Sequence, residues 1–335
     1  MTATRFDVLA VGNAIVDVLS PATDAFLAAE GIAKDAMTLI DEEQAGTLYT
    51  RMQAGKEASG GSAANTVAGI ASLGGRAAYI GKVANDQLGE IFSHDIRAIG
   101  VDFASTPLVG GAATGRCLIN VTPDAGRSMS TFLGAAALVT EDDVEAGAEA
   151  LRASSIIYLE GYLFDREEAK RAYVRAAELA AAAGRKTALT LSDTFCVARH
   201  RAAFRHLVAH HIDILLANEA EITTLYETDD FDAAIEMCRR DVAVAAVTRG
   251  DKGAVLLRDE ETVIVEAEPI AGLVDTTGAG DLFAAGFLLG LAQDRNLAES
   301  GRMGAICAAE IISHFGARPE CSLKSLATDA GIPFE

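Results

Sequence analysis

A doubly wound α/β fold, with a mainly parallel sheet, helices on both faces and a small β-sheet lid, is what this sequence predicts, and three observations carry the prediction. Short apolar runs that end at glycine or a polar residue alternate with helix-like stretches of ten or more residues, which is the pattern of parallel strands joined by right-handed crossovers. Two β-rich segments interrupt that rhythm instead of sitting at one end. No internal repeat, proline-rich linker or low-complexity tract divides the chain. Residues 1–335 are therefore expected to form one domain, with the lid drawn from about 14–57 and 102–132.

The elements follow in order. FDVLAVG (6–12) and AAYIGKV (77–83) read as buried strands. Between them the glycine-rich GGSAAN introduces a helix over 63–73. Strand then helix recurs as SIIYLEG (155–161) with 166–184, TALTLS (187–192) with 198–211, and DILLAN (213–218) with 219–226. LFAAGFLLGLA (282–292) is too long and too rich in small residues for a strand, and predicts a buried helix. Within the lid, GRCLINVT and GRSMSTFL flank the polar turn 123–126 as a hairpin.

Composition narrows the function. With 50% hydrophobic and 23% charged residues the chain can bury a sizeable core. Its 28 Lys+Arg against 48 Asp+Glu give a net charge of −20, which repels a nucleic-acid backbone but not a small phosphorylated ligand held by local amides, arginines and a divalent cation. The five cysteines, Cys117, Cys196, Cys238, Cys307 and Cys321, form no C-x-x-C pair, so they read as core fillers of a protein in a reducing compartment. The N-terminus lacks a secretory h-region and no apolar run approaches the ~20 residues of a membrane span. A cytoplasmic protein without membrane or nucleic-acid partners is expected, as a monomer or homodimer.

There is no P-loop motif, no G-x-S-x-G elbow, and no G-x-G-x-x-G after the first strand, which ends at Gly12-Asn13-Ala14. The stretch DTTGAGDLF (275–283) places Gly278, Ala279 and Gly280 at the head of the predicted helix, where unpaired amides and the helix dipole suit a phosphate. Asp281 behind them can accept a proton from a substrate hydroxyl. Taken alone the stretch fits an ordinary cap as well, with Thr276 or Thr277 satisfying the amides. Gly61, Ser62 and Asn65 in GGSAAN offer close backbone approach, a hydroxyl and a carboxamide to a polyol, or simply a turn and a cap. Asn13 and Asp17 stand at the exit of the first strand, where open α/β sheets bind ligands. Asn218 and Glu221 in NEAE can hold a hydrated Mg2+ or form a capping box, roles that are compatible. His206 and His210 have the spacing of a metal pair but read better as a solvated helix end, and His314 suits a helix C-terminus or a base contact equally.

These pieces in this order, Asn13/Asp17, GGSAAN, NEAE and DTTGAGD, together with Gly81 and Asp86-x-x-Gly89, resemble the ribokinase-like (PfkB) family of carbohydrate and nucleoside kinases over nearly the whole chain. LTLSDTFCVARHRAAF with IDILLANEAE, and GRSMSTFLGAAA, look more like its adenosine kinases than its ribokinases. The resemblance implies an ATP-dependent kinase with Mg2+, acting on the primary hydroxyl of a nucleoside, with adenosine first. A sugar, a keto-deoxy sugar acid or another purine nucleoside is the alternative acceptor, and a non-catalytic nucleoside sensor the distant one. It further implies Asp281 as base, Gly278, Ala279 and Gly280 as anion hole, and Arg127 as a flap arginine reaching the transferred phosphate. Asn13, Asp17, Gly61, Ser62 and Asn65 match ribose positions, and Leu133, Ala135 and Tyr162 fall near base-lining ones. Thr248, Gly250, His314 and Asn218 belong to the nucleotide side, Asn218 with Glu221 to Mg2+ through water, and Asp275 with Thr277 to a K+ loop. LSDTF departs from the asparagine-serine-alanine-proline stretch of animal adenosine kinases, and Ala63-Ala64 from a polar position after the glycine pair.

Overall fold

The computed structural model describes residues 4–124 and 126–334. Its strands are β1 (Phe6–Val11), β2 (Ile15–Pro21), β3 (Met37–Leu39), β4 (Lys56–Gly60), β5 (Ala77–Ile80), β6 (Gly115–Val121), β7 (Arg127–Phe132), β8 (Ser154–Glu160), β9 (Lys186–Thr190), β10 (Ile214–Asn218), β11 (Val244–Thr248), β12 (Ala254–Arg258) and β13 (Glu261–Val265). Eight of them form the main sheet in the order β13-β12-β11-β10-β9-β8-β1-β5. From β11 to β5 all pairings are parallel, and the antiparallel pair β12-β13 closes one edge.

Alternation along β1 shows how the layers are built. Val8 and Ala10 face one core with the helices Ser62–Ser72, Ala279–Ala292 and Leu297–Ile311. Leu9 and Val11 face the other, with Glu167–Ala182 and Thr194–His211. Both faces of a parallel strand are thus covered, which is why these strands read as continuous apolar runs. The chain goes from β1 to β5 on one side and later returns through β8 on the other, so β1 is the point where strand order reverses. A crevice at the carboxyl ends of β1 and β8 follows from that topology.

The second sheet runs β3-β7-β6-β2-β4 over a small core of Ile15, Cys117, Ile119 and Ala136. β6 and β7 are the expected antiparallel hairpin, with Val121 opposite Arg127; Ala125 in its turn lies outside the described residues. β4 continues to Gly60, directly into GGSAAN, because it pairs with β2 up to Ile15↔Gly60. The stretch from Asp102 to Leu108 keeps to the main sheet's edge through bridges to Ala78 and Ala84. Among the cysteines, Cys321 corrects the expectation of a core filler: it is exposed beside Glu310, whereas the other four are buried.

The helix Ala279–Ala292 presents apolar residues all round because it is covered by Ser62–Ser72 on one side and Leu297–Ile311 on the other. Phe287 is fully buried within it and stacks on Phe283. Phe287→Ala is expected to lower the unfolding free energy by about 3–5 kcal/mol, the usual cost of truncating a buried phenylalanine, as read from urea denaturation.

Candidate functional site

The helix that begins at Ala279 has Gly278 as its N-cap, at φ 81°, a conformation that glycine adopts freely. No side chain caps it. Thr277 is turned the other way, donating its N–H and hydroxyl to Asp275 Oδ1 at 3.0 and 2.7 Å, so the ordinary-cap alternative is not the one adopted. The Ala279 N–H is taken by the Thr276 carbonyl at 3.2 Å, and the Gly278 and Gly280 amides on either side of it suit an anion.

Asp281, one turn in, accepts Ser62 Oγ at 2.6 Å and Asn65 Nδ2 at 2.9 Å, and the Asp281 carbonyl accepts Thr66 Oγ1 at 3.1 Å. Two helix heads, more than two hundred residues apart in sequence, therefore meet at one carboxylate. Burial raises the Asp281 pKa; the Ser62 and Asn65 hydrogen bonds and the positive charge of Arg318 hold it back. Its side chain is deep in the crevice yet retains some open surface.

Gly61 has φ 96°, and a Cβ there would collide with the Asn13 carbonyl. The glycine thus lets β1's exit and the binding loop touch. Asn13 donates Nδ2 to Glu160 Oε1 at 2.6 Å, while its own Oδ1, like that of Asn65, is buried without a hydrogen-bond partner. Unpaired buried acceptors are costly, and here both suit the hydroxyl donors of a polyol. Asp17, on β2 between Ala58 and Cys117, completes the cluster. Burial pushes its carboxyl up to about 6, against the charges of Arg318 and Arg127, with Asp281 adding to the rise.

An apolar cleft of about 420 Å³ opens between the two sheets, lined by Leu39, Ile40, Phe132, Leu133, Leu163 and Tyr162 among others. Tyr162 is 38% exposed and is tethered by its hydroxyl, which donates to the Ser192 carbonyl at 3.1 Å. Ser192 holds φ at 68°, a left-handed conformation rare for serine, within the LSDTF stretch. Ala135 corrects the expectation of a wall residue: it is 0% exposed, folded inward in a short 3-10 helix (Gly134–Leu138) whose Ala137 and Leu138 take the wall instead.

Asn218 and Glu221 form a complete capping box at the head of Glu219–Tyr226. Both Glu221 oxygens are engaged by Asn218, Oε1 through Nδ2 at 2.6 Å and Oε2 through N–H at 3.0 Å. That leaves them suited to a hydrated cation, not to direct ligation. Burial pushes Glu221 up to about 7, with the Asp193 charge adding to it. Among the described residues no group of three or more His, Cys, Asp and Glu could hold a metal ion, and His206 and His210 sit on an exposed helix end. Thr248 stands directly beside Asn218 in the sheet, and Gly250 follows at φ 60° in a short turn.

Arg127, at the start of β7, pairs with Asp275. Asp275 Oδ2 also accepts the Gly316 N–H at 3.1 Å, so with Thr277 on Oδ1 both oxygens are occupied. This carboxylate as arranged does not fit a K+ ligand, and no step is assigned to that ion. His314 lies beyond the helix Leu297–Ile311, not within it, and its ring is held by Glu310 at 3.0 Å.

Residues 25–324 match the model of the pfkB family carbohydrate kinases. The chain belongs to that family. It is similar to the adenosine kinase of Sinorhizobium meliloti, with 51% identity, a TM-score of 0.90, and 98% of this chain and 100% of that one covered. A structure described as a probable sugar kinase protein from Rhizobium etli CFN 42 is 49% identical at a TM-score of 0.91, with the same coverage. Fructokinase-1 of Oryza sativa subsp. japonica is 26% identical over 82% of this chain and 88% of its own length. This pfkB protein is a phosphotransferase acting on a hydroxyl group.

Two residues of this pfkB kinase site escaped the sequence. Glu160 ends β8 fully buried, accepting Ala63 N–H at 2.8 Å as well as Asn13. An acid closing an otherwise apolar strand, SIIYLEG, was the available signal. Arg318 donates to the carbonyls of Ser59 and Ala64 from a loop after the last long helix, and nothing in its spacing marks it.

Burial pushes Glu160 up to about 7, against the hydrogen bonds from Ala63 and Asn13, with the Asp281 charge adding to the rise. Because the folded carboxyl keeps its proton to higher pH than the unfolded one, its contribution to stability is full below pH 4.5 and is lost as pH climbs to about 7. Relative to Glu160→Gln, the wild-type protein should lose about 2–3 kcal/mol of unfolding free energy across that window, at 1.36 kcal/mol per pKa unit. A difference between the two that stays constant with pH in urea denaturation contradicts the buried-acid assignment.

Proposed function

We propose that the protein transfers the γ-phosphoryl group of ATP to the primary 5′-hydroxyl of a nucleoside, adenosine foremost. The observation that carries this is the meeting of Asp281 with an uncapped glycine helix head and with Ser62 and Asn65 of the binding loop. In this reading Asp281 accepts the hydroxyl proton, and the amides of Gly278 and Gly280 offset the charge of the phosphoryl group in flight. Arg127 joins them once it leaves Asp275. Asp17, Asn13 and Asn65 take the ribose hydroxyls, a binding that weakens as Asp17 protonates below about pH 6. Mg2+, held through water by Asn218 and Glu221, would neutralise donor phosphate charge; Thr248 and Gly250 lie on that same side.

The choice of nucleoside over free sugar is supported by the apolar cleft with Leu133 and Tyr162, which suits a flat base better than a second polyol. The 51% identity to an adenosine kinase supports the same choice. The sugar alternative has its own support in the likeness to a fructokinase and to a probable sugar kinase. The second sheet, which carries Asp17 and Arg127, serves as a lid that excludes water from a hydrolysable donor. A cytoplasmic setting, and a monomer or homodimer, belong to this proposal; no helix among the described residues is long and apolar enough to cross a membrane.

Coupled ADP release with Mg-ATP against adenosine, inosine, guanosine, ribose, fructose and 2-keto-3-deoxygluconate is expected to select adenosine. Asp281→Asn should bind acceptor normally and lose ~10²-fold or more in turnover. Near-normal turnover in that variant removes Asp281 from the base role, and preference for a free sugar discards the assignment of the cleft.

A further inference from the structure

Between Asp17 and Asp281 lies a cation that none of the functional motifs contains. Arg318 is partly buried and reaches across from the loop that follows Leu297–Ile311. Its Nε and Nη2 donate to the Ser59 carbonyl at 3.0 and 2.9 Å, Nη2 also to Ser59 Oγ at 2.9 Å, and Nη1 to the Ala64 carbonyl at 2.7 Å. Ser59 is fixed in turn by Asp95, which accepts its N–H at 2.7 Å and its hydroxyl at 2.6 Å. The fork therefore grips both ends of the six residues 59–64.

Those six residues touch both carboxylates. A Cβ on Gly60 would collide with the Asp17 carboxyl, so that loop position packs directly on it. Ser62 lies inside the grip and Asn65 immediately beyond it, and these two donate to Asp281. A guanidinium partly withdrawn from water without a carboxylate hydrogen-bonded to it brings a desolvation cost to the fold. Its charge is balanced at a distance by Asp95, Asp17 and Asp281.

We propose that Arg318 is a positioning residue for phosphoryl transfer: it clamps the 59–64 loop against Asp17 and Asp281, and supplies the positive charge that favours the carboxylate form of Asp281. This rests on Asp281 being the base. The charged and titratable groups that bear on Asp281 are Arg318 from the C-terminal loop, Asp17 from β2, Glu160 and Tyr158 from β8, and Tyr162 just after it. Arg318 is the cation among them; the two acids oppose ionisation of Asp281 when they are charged, and the two phenols stay neutral. Removing it therefore raises the pH at which Asp281 gives up its proton.

The test is the pH profiles of kcat and kcat/KM with Mg-ATP and adenosine, or whichever acceptor of the panel is turned over, for wild type, Arg318→Gln, Arg318→Lys and Asp281→Asn, the limb being read in kcat at saturating acceptor, where the binding assigned to Asp17 no longer sets it. Arg318→Gln should move the acid limb up by about 1 pH unit, the scale of one opposite charge nearby, so that its deficit grows toward low pH. Arg318→Lys keeps the charge but cannot bridge two carbonyls; its limb should stay in place while kcat/KM falls at all pH values. A merely structural role scales the whole profile in Arg318→Gln without moving the limb, and that result overturns the proposal. Should Arg318→Gln not fold, a wild-type kcat/KM in Arg318→Lys overturns it instead. If Asp281→Asn keeps its turnover, the base assignment has failed; if that variant is inactive and the Arg318→Gln limb is unmoved, only the role of Arg318 has.

Discussion

The site depends on one buried carboxyl. Glu160 gathers the N–H and side-chain amide of Asn13 and the N–H of Ala63, and so ties the exits of β1 and β8 to the head of the helix Ser62–Ser72. Its own carbonyl is held by the Tyr173 hydroxyl from the helix Glu167–Ala182 on the opposite face. An acid with 1% exposure is a poor choice for stability alone, since desolvation outweighs what its hydrogen bonds return. What it provides is direction. Three donors converging on two oxygens fix where the strand ends and the helix begins, and that in turn fixes the Gly61, Ser62 and Asn65 positions.

On that frame the charges are arranged so that none can be relieved locally. Asp281 stands close enough to raise the proton affinity of both Asp17 and Glu160, and the guanidinium of Arg318 offsets Asp17 and Asp281 without sealing either in a direct ion pair. A paired carboxylate is a weak base and a poor hydrogen-bond acceptor; an unpaired buried one takes up a proton. Carboxylates held near a cation but bonded only to neutral donors occupy the ground between. Arg127, by contrast, is committed to Asp275, and it joins the second sheet to the loop before the glycine helix.

Much of the architecture was legible because local signals and tertiary roles coincide. Buried parallel strands must be apolar on both faces, so β1, β8, β9 and β10 announce themselves, and NEAE begins a helix at the residues its capping box specifies. The helix 279–292 begins three residues before its apolar run because glycines and an acid, read as turn chemistry, form its first turn. The edge strand β13 gave no comparable signal, because most of it is exposed. Glu160 and Arg318 were illegible for a different reason. Their partners lie 97 to 259 residues away, so no spacing in the sequence expresses the contact. Ala135 failed for want of depth information: its neighbours in the same turn reach the cleft and it does not.

The division of labour between the two sheets explains how one chemistry can serve several acceptors. Apart from Arg127 on β7, the groups assigned to the phosphoryl step stand on helix heads of the main body, locked by packing on both sides, where a change of shape would cost core contacts. The cleft assigned to the rest of the acceptor is made from Leu39 on a three-residue strand, from the end of β7, and from the 3-10 turn behind it. These pieces bury little of the main core, so substitutions there alter the cleft at small cost to folding. Tyr162, braced by Ser192 in its left-handed conformation, brings rigidity to that wall from the main body, next to the buried Leu163. A residue held in that conformation costs energy that its neighbours must offset, and the tether to Tyr162 is the return visible in the structure. Acceptor discrimination should therefore be sought at Tyr162 and LSDTF, because this is where the fold has accepted strain to keep an aromatic face in place.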